Sequence, residues 1–190
     1  METTVVLIKP DGVKRGLIGE IIKRFEQSGL KIVACKMVVP TIDLLAKHYN
    51  SKDPARLKLW GEKTLKSYEK FGKNAKRDLG TKDPVELGKM VNKWLIDYVT
   101  SGPLIALLLE GKHAVQNVIN LTGPTMPVDA PAGTIRGDFS TDSAAYANAE
   151  KRGVMNLVHV STSFQEANFE KSLWFTPSEI HNYKRAEELL

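Results

Sequence analysis

The residue of this sequence most suited to covalent chemistry is a histidine in a short apolar segment. His159 lies within residues 156–163, which predict a brief strand with polar side chains two and three positions after the histidine. A capping box at residues 163–166 predicts that a helix starts there, and Glu170, about two turns on, can face back and fix the imidazole tautomer. The same pattern also fits a core histidine held by hydrogen bonds, so spacing alone leaves both interpretations open.

Several common motifs of phosphate and metal chemistry are missing from the sequence. Neither the P-loop spacing nor a glycine-rich dinucleotide fingerprint after the first predicted strand occurs. The His-Arg-Asp and Asp-Phe-Gly triplets of protein kinases are also absent. The four histidines are dispersed and no Cys-x-x-Cys pair is present, which argues against a local zinc motif. A nucleotide-handling function would therefore need another kind of site.

Strands and helices alternate along the first part of the chain. A β-branched run at residues 3–8 ends at the turn-forming residues 10–12, which places Lys9 at the end of a strand. Apolar residues at helical spacing then predict a helix at 16–27, closed by a glycine. The next elements are a strand at 30–39 and a short helix at 41–49. The opening unit is thus β-α-β-α.

The later part of the chain continues this alternation. Asp83, Pro84 and Glu86 have the types expected at a helix start, and they predict a helix to about residue 100. The remaining predictions are a strand at 103–109, a helix at 112–121, a long loop at 122–138, a strand at 156–161 and a helix at 163–173. Interleaved strands and helices favour an α/β sandwich. Periodicity leaves the order and direction of the strands open.

Composition and charge narrow the class of protein. The chain has 190 residues, ordinary globular composition and a formal charge of +5, which favours anionic partners without choosing among them. A lysine-rich stretch between Lys52 and Lys93 contributes to this excess, and we interpret it as a solvated helical face. Residues 103–109, the longest apolar stretch, are far short of the ~20 residues that span a bilayer. A soluble protein without a secretory signal is expected.

The single cysteine, Cys35, has no partner for an intramolecular disulfide, which fits a reducing compartment and a cytoplasmic location. Its place in an apolar run predicts a small buried hydrophobe, with a reactive thiol as the alternative.

Six segments, taken together, resemble successive signatures of nucleoside diphosphate kinases. They are 8–13 (IKPDGV), 15–26 (RGLIGEIIKRFE), 101–103 (SGP), 133–139 (GTIRGDF), 156–161 (NLVHVS) and 173–175 (LWF). The resemblance implies a ferredoxin-like α/β sandwich, with a four-stranded antiparallel sheet, helices packed on it and a helical insertion. It also implies one domain over residues 1–190, with insertions at about 53–92 and 140–152.

The activity implied by the resemblance is a ping-pong transfer of the γ-phosphoryl group. A nucleoside triphosphate such as ATP phosphorylates His159, its diphosphate leaves, and a second nucleoside diphosphate collects the group. A neutral imidazole suits this chemistry because it is nucleophilic near pH 7. Mg²⁺ is expected to bind through the nucleotide phosphates, without metal ligands dedicated by the protein. The family also suggests a homo-oligomer, either a tetramer or a hexamer.

The resemblance further assigns expected roles to individual residues. His159 would be the nucleophile, Ser161 and Glu170 its hydrogen-bonded support, and Lys9 a mobile positive charge near the transferred phosphate. The remaining assignments are Thr125 and Arg136 at the phosphates, Asn156 at the ribose and Tyr49 packed under the histidine.

The sequence departs from the family pattern in the phosphate-binding region. Ile119 stands where the resemblance implies an arginine, and isoleucine has no charge to replace it. Arg152, Lys151 or a lysine of the inserted segment are candidate substitutes. The aromatic residue on which the base stacks is also displaced by the first insertion. Its candidates are Trp60, Phe71 and Trp94, with Leu95 close by; stacking tolerates every base, so base preference stays open.

The two insertions and the missing arginine leave alternatives open. We expect the first insertion to lengthen the lid over the base, and the second to shape an oligomer contact or to bring Arg152 to the phosphates. A non-catalytic nucleotide- or nucleic-acid-binding relative of the family is the alternative function, and Ile119 is the best argument for it.

Overall fold

The centre of the molecule is a four-stranded antiparallel sheet. The structure, a computed structural model, describes residues 1–185; residues 186–190 of the predicted domain lie outside the described residues. The strands are β1 (Glu2–Ile8), β2 (Lys31–Val38), β3 (Leu104–Gly111) and β4 (Val158–Val160), in the order β2-β3-β1-β4. All three neighbouring pairs are antiparallel. With helices packed on it, this sheet forms the expected ferredoxin-like α/β sandwich.

Ten helices connect and cover the strands in the described part of the chain. They are α1 (Pro10–Lys14), α2 (Ile18–Gln27), α3 (Ile42–His48), α4 (Pro54–Lys70), α5 (Ala75–Leu79), α6 (Pro84–Val99), α7 (Ala114–Thr122), α8 (Ile135–Phe139), α9 (Ala144–Ala149) and α10 (Phe164–Trp174). Short 3₁₀ turns lie at Pro127–Asp129 and Pro177–Glu179. Within residues 1–185, none of the helices combines the length and apolar character needed to cross a membrane.

Side-chain caps explain where the longer helices begin. Asp83 accepts from the backbone N–H of Glu86 at the start of α6, and Ser163 accepts from that of Glu166 at the start of α10. Both satisfy N–H groups that have no partner inside the helix. The two starts lie where the sequence predicts them.

Strand β1 is buried on both faces and divides the core into two clusters. Val6 and Ile8 pack with Phe25 of α2 and Val118 of α7 on one face. The alternate residues of β1 pack on the other face with apolar side chains of α3, α6 and α10. Alternation follows from the two-residue period of a strand. The central strand is therefore firmly held, and β4 pairs with it.

The two predicted insertions pack on each other. Helices α4 and α6 approach so closely that a Cβ on Gly61 would lie 1.8 Å from the Pro84 carbonyl oxygen, and one on Gly88 would lie 1.9 Å from that of Leu57. Beyond this contact, Tyr68, Leu79 and Leu87 pack with Ala145 of α9 in a third cluster. The inserted helices thus have a small core of their own beside the main one.

Three local predictions are wrong. Residues 10–12, predicted as a turn, lie in α1, because Pro10 occupies the first helical position, where its fixed φ is favourable. The predicted loop at 122–138 contains a 3₁₀ turn and most of α8, which Thr134 caps. Cys35 is exposed rather than buried. It lies on the edge strand β2, where Met37 is exposed as well.

Candidate active site

His159 lies at the middle of β4, paired with Leu7 of the buried strand β1. Its Nε2 is 2.6 Å from Oε1 of Glu170, which α10 places behind the ring. A carboxylate oxygen accepts hydrogen bonds, so this contact puts the imidazole proton on Nε2. The lone pair is then on Nδ1, and the ring remains 15% exposed. The arrangement leaves Nδ1 available as a nucleophile.

Glu170 is itself fixed by the sheet. Its Oε2 accepts a 2.6 Å hydrogen bond from Oγ of Ser161, and Ser161 in turn accepts from the backbone N–H of Val5. Glu170 and Ser161 are both fully buried. The orientation of the nucleophile therefore depends on a chain of contacts that ends in the central strand.

Burial sets the protonation of this pair. Desolvation is the largest cause that lowers the pKa of His159, followed by the positive charge of Lys9. Desolvation also raises the pKa of Glu170. A lowered pKa keeps the imidazole neutral at pH 7, and the neutral ring is the form that can attack phosphorus.

The rings of His48, Tyr49 and Trp174 form an aromatic wall beside the histidine. The ring of His48 lies edge-on at 4.3 Å from the His159 ring, and the ring of Tyr49 lies at 6.1 Å. His48 Nδ1 accepts a 3.1 Å hydrogen bond from Nε1 of Trp174. The structure thus places the Tyr49 ring beside the histidine. From the sequence, His48 was given no role, and Trp174 was quoted only as part of the 173–175 segment.

His48, His159 and Glu170 have the residue types of a metal site, and their ligand atoms lie within 4.8 Å of one another. Both oxygens of Glu170 already face hydrogen-bond partners, so the group is explained without an ion. The charges that act on His159 from outside this group are mainly cationic. Such surroundings suit a Mg²⁺ ion that arrives with a polyphosphate better than a resident ion.

Lys9 extends from the end of β1 into the same region. Its Nζ donates a 2.7 Å hydrogen bond to Oδ1 of Asn156, and the side chain is only 5% exposed. Desolvation, assisted by the charge of Arg136, lowers the pKa of Lys9 to about 7. A lysine amine held this way is poised to gain a proton when an anionic ligand arrives.

Arg136 is buried beneath the segment that leads to the histidine. Its Nε, Nη1 and Nη2 donate to the carbonyl oxygens of Asn156, Gly123 and Val158. Burial lowers its pKa to about 10, so it stays charged at pH 7. A guanidinium group has five N–H donors, which leaves donors for a ligand beyond these three contacts.

The backbone next to the nucleophile is strained. Leu157 has a φ of 66°, a conformation that residues with branched side chains rarely adopt. Its carbonyl accepts from the backbone N–H of Lys9 at 2.7 Å, and its N–H donates to Oδ2 of Asp11 at 3.1 Å. These bonds hold a conformation that costs of order 1–3 kcal/mol and fix the positions of Asn156 and His159 on either side of Leu157.

Thr125 lies at the open side of the site. It is exposed, and its carbonyl accepts a 3.0 Å hydrogen bond from Nδ2 of Asn156. The structure therefore places it beside Asn156 and, through that residue, beside Lys9. With it, all eight residues singled out in the sequence are linked by contacts around His159: Lys9, Tyr49, Thr125, Arg136, Asn156, His159, Ser161 and Glu170.

Arg56, in the first turn of α4, is a basic residue that the sequence analysis missed. Its charge contributes to the lowered pKa of both His159 and His48. The guanidinium is loosely paired with Glu166 at 3.9 Å and lies 5.8 Å from the Trp60 ring. Its approach to the histidine depends on how the start of α4 packs, which the local sequence pattern did not indicate.

The structure separates the candidates for the base-stacking residue and for the substitute of the missing arginine by their distance from the site and by their ion pairs. Trp60 lies 6.3 Å from the Tyr49 ring, whereas Phe71 and Trp94 pack in the third cluster. Ile119 packs partly buried against the main core. The guanidinium of Arg152 is bound by Asp142 and Glu150, which argues against Arg152 as the substitute for the missing arginine.

The fold is an antiparallel sandwich that holds a neutral histidine against a buried carboxylate. Lysine and guanidinium groups converge on this histidine. Together these features define an enzyme of the phosphotransferase class. The family model of nucleoside diphosphate kinase matches residues 2–57 and 84–180. The chain belongs to the nucleoside diphosphate kinase family. Residues 58–83, which the family model leaves unmatched, contain most of α4 and all of α5.

Individual relatives agree over nearly the whole chain. A nucleoside diphosphate kinase of Pyrobaculum aerophilum is 47% identical over 180 residues, which cover 95% of this chain and 98% of the relative. The crystal structure of an NDP kinase from the same organism superposes with a TM-score of 0.90, at 45% identity over 95% of this chain and 99% of that one. A transition-state mimic of the Borrelia burgdorferi enzyme, with bound vanadate and ADP, has a TM-score of 0.79 and 34% identity, covering 98% of this chain and 94% of that one.

Proposed function

We propose that the chain moves the γ-phosphoryl group of a nucleoside triphosphate to a nucleoside diphosphate in two steps through His159. The observation that carries this proposal is the 2.6 Å contact between Nε2 of His159 and Glu170, which leaves Nδ1 as the free nucleophile. ATP is the proposed donor, and other nucleoside tri- and diphosphates are the exchange partners, because stacking on an aromatic ring tolerates every base.

In the first step, Nδ1 attacks the γ-phosphorus, an N–P bond forms, and the bond to the β-phosphate oxygen breaks. The diphosphate leaves with that electron pair. The imidazole then carries positive charge, which the Glu170 carboxylate at Nε2 stabilises. In the second step, a β-phosphate oxygen of another diphosphate attacks, the N–P bond breaks, and the neutral ring returns. Ser161 keeps Glu170 in place throughout.

The basic residues position the phosphates in this proposal. Lys9 and the remaining donors of Arg136 face the transferred group, with Thr125 at the neighbouring phosphate. Asn156 binds the ribose hydroxyls, and Tyr49 supports the His159 ring. These roles are supported by the contacts that join the residues around the nucleophile.

We further propose that Arg56 supplies the charge that Ile119 lacks. Two observations support this role: the charge of Arg56 contributes to the lowered pKa of His159, and its loose 3.9 Å pairing with Glu166 leaves the guanidinium able to reorient. Trp60, beside it, is the proposed stacking surface for the base. The alternative function, a non-catalytic nucleotide- or nucleic-acid-binding protein, was based on the missing arginine at position 119. If Arg56 supplies that charge, the main argument for this alternative no longer holds.

Mg²⁺ fits the site as a ligand of the nucleotide. When bound, it would neutralise charge on the β- and γ-phosphate oxygens. The protein residues proposed to meet the same phosphates, Lys9, Arg56 and Arg136, are all cationic, which leaves the metal to the phosphate oxygens.

The α4–α6 pair is the proposed lid over the base. The single domain, residues 1–190, would carry this helical insertion at about 53–92 and a second one at about 140–152. Arg56 and Trp60 at the start of α4 support the lid, because they bring the insertion to the aromatic wall. Removing the lid should raise KM for nucleotide more than it lowers kcat, and an unchanged KM would count against it.

A cytoplasmic homo-oligomer is the proposed assembly. The residues after α10 cover the first half of edge strand β2: the N–H of His181 donates to Val33, and the Tyr183 hydroxyl donates to Ile32. In the second half of β2, Glu179 binds the Lys36 ammonium, whereas Met37 is 58% exposed among residues 1–185. An open apolar edge favours pairing with another copy. Light scattering would give the mass, which separates a tetramer from a hexamer, and the variant Met37→Asp should dissociate the assembly.

The proposed mechanism is tested by labelling with γ-³²P-ATP and Mg²⁺. The wild-type protein should form an acid-labile, alkali-stable phosphoprotein that loses its label when GDP is added. The variant His159→Ala should take up no label. An unlabelled wild type, or full labelling of the variant, would overturn the assignment of His159.

A further inference from the structure

A second imidazole lies behind the carboxylate that orients His159. His48 is 4% exposed, and its Nδ1 accepts a hydrogen bond from Nε1 of Trp174 at 3.1 Å. An indole N–H can only donate. Nδ1 of His48 therefore presents its lone pair to Trp174, and the proton of the neutral ring is on Nε2. Among residues 1–185 the structure contains no hydrogen-bond partner for that Nε2.

The same Nδ1 also faces Glu170. It lies 3.4 Å from Oε1, the oxygen that is in contact with Nε2 of His159 at 2.6 Å. In this tautomer, His48 Nδ1 and the carboxylate oxygen are both acceptors, so they form no hydrogen bond with each other. A proton on Nδ1 would change this, because His48 would then donate to Oε1. Oε1 of Glu170 would then accept hydrogen bonds from both imidazoles, and its bond to His159 would weaken.

We propose that Trp174 is a positioning residue that holds His48 in the Nε2–H tautomer and thereby reserves Oε1 of Glu170 for His159. Trp174 acts through His48 and Glu170 rather than on the substrate. The inference rests on the proposed role of His159 as the nucleophile. The unpartnered Nε2–H supports it, since a buried donor without an acceptor calls for an explanation. With the proton on Nδ1, Glu170 would satisfy that donor, and the indole prevents this outcome.

The variant Trp174→Phe tests the proposal because it keeps an aromatic ring and removes the N–H. We expect the ¹⁵N chemical shift of His48 Nδ1 to change from that of an unprotonated to that of a protonated nitrogen. The rate of His159 phosphorylation should fall about tenfold, as expected when one charge-assisted hydrogen bond is partly lost, with KM for ATP unchanged. Replacing Trp174 by benzothienylalanine, which has sulfur in place of the N–H, repeats the test with the shape preserved should phenylalanine impair folding.

The His48→Phe background separates tautomer control from simple packing. Without Nδ1 there is no competitor for Glu170, so adding Trp174→Phe to His48→Phe should cause no further loss of phosphorylation rate. A tenfold loss in both backgrounds would overturn the proposal, because Trp174 would then act by packing alone. Trp94→Phe is the matched control for the loss of an indole N–H, since Trp94 packs in the third cluster, and this variant should leave the ¹⁵N chemical shift of His48 Nδ1 at its wild-type value.

The outcomes also distinguish this inference from the mechanism on which it rests. A wild-type protein that takes up no label at His159 would contradict the proposed mechanism, whatever the His48 spectrum shows. A wild type that labels normally, together with a Trp174→Phe variant whose His48 Nδ1 stays unprotonated or whose rate is unchanged, would overturn the tautomer proposal alone.

Discussion

Lys9 should take up a proton when nucleotide binds. In the free protein its pKa is lowered to about 7, so at pH 8 only about one lysine in ten is charged. A bound polyphosphate favours the charged form and raises the pKa well above 8. Binding of ADP at pH 8 should therefore be accompanied by uptake of about 0.9 proton per site, a value that follows from the same pKa difference. ADP is fully ionised at this pH and releases no proton of its own.

Calorimetry in two buffers of different ionisation enthalpy measures this uptake directly. The variant Lys9→Met should bind ADP with no uptake, since it has no group to titrate. Lys14→Met is the matched control, because Lys14 is an exposed lysine that bonds to Ser101, and it should retain the wild-type value. Zero uptake by the wild type, or equal uptake by Lys9→Met, would refute the assignment of a neutral Lys9 to the free protein.

The same lowered pKa has a consequence for stability. The unfolded chain keeps Lys9 protonated up to its ordinary pKa of 10.5, whereas the folded protein releases that proton near pH 7. Since the unfolded state binds more protons in this window, stability rises with pH between about 7 and 10.5. From pH 7 to 9 the wild type should gain about 2 kcal/mol relative to Lys9→Met. Urea unfolding of both proteins at the two pH values measures the difference.

Further predictions concern the phosphate site, the strained turn and the insertion. Arg56→Met should raise KM for ADP about tenfold, as the loss of one charge-assisted contact implies, while Lys58→Met on the solvent side of α4 leaves it unchanged; equal values for both variants would contradict the role of Arg56. Asp11→Ala should lower the free energy of unfolding by about 2 kcal/mol in urea, because the buried N–H of the strained Leu157 loses its acceptor, and an unchanged value would show that the turn holds without it. Gly61→Ala should cost at least about 3 kcal/mol, since its Cβ would overlap the Pro84 carbonyl, whereas Gly19→Ala in the open first turn of α2 should add about 0.4–1 kcal/mol; thermal unfolding that ranks the two alike would refute the close packing of α4 and α6.

The sequence predicted those parts of the site that local patterns determine. The Ser163 side-chain cap defines the start of α10, and helical geometry then places Glu170 on the side that faces β4. The β-branched run before Lys9 likewise predicts β1 and the position of the lysine at its end. In both cases a short-range rule is enough, because each residue lies within an element or next to one.

The residues that were missed depend on contacts between distant segments. Arg56 comes near His159 because of how the start of α4 packs, and His48 meets Trp174 across the core. The positive φ of Leu157 has no local signal either, since leucine does not favour that conformation. It exists because Lys9 and Asp11 supply hydrogen bonds from another part of the chain.

The third cluster makes two distant segments of the chain interdependent. Tyr68 and Leu79, from residues 53–92, cover Ala145, from residues 140–152, and Lys73 reaches the Ala145 carbonyl. Shortening either segment alone would expose the apolar surface of the other. A compact version of this enzyme would therefore have to lose both segments together.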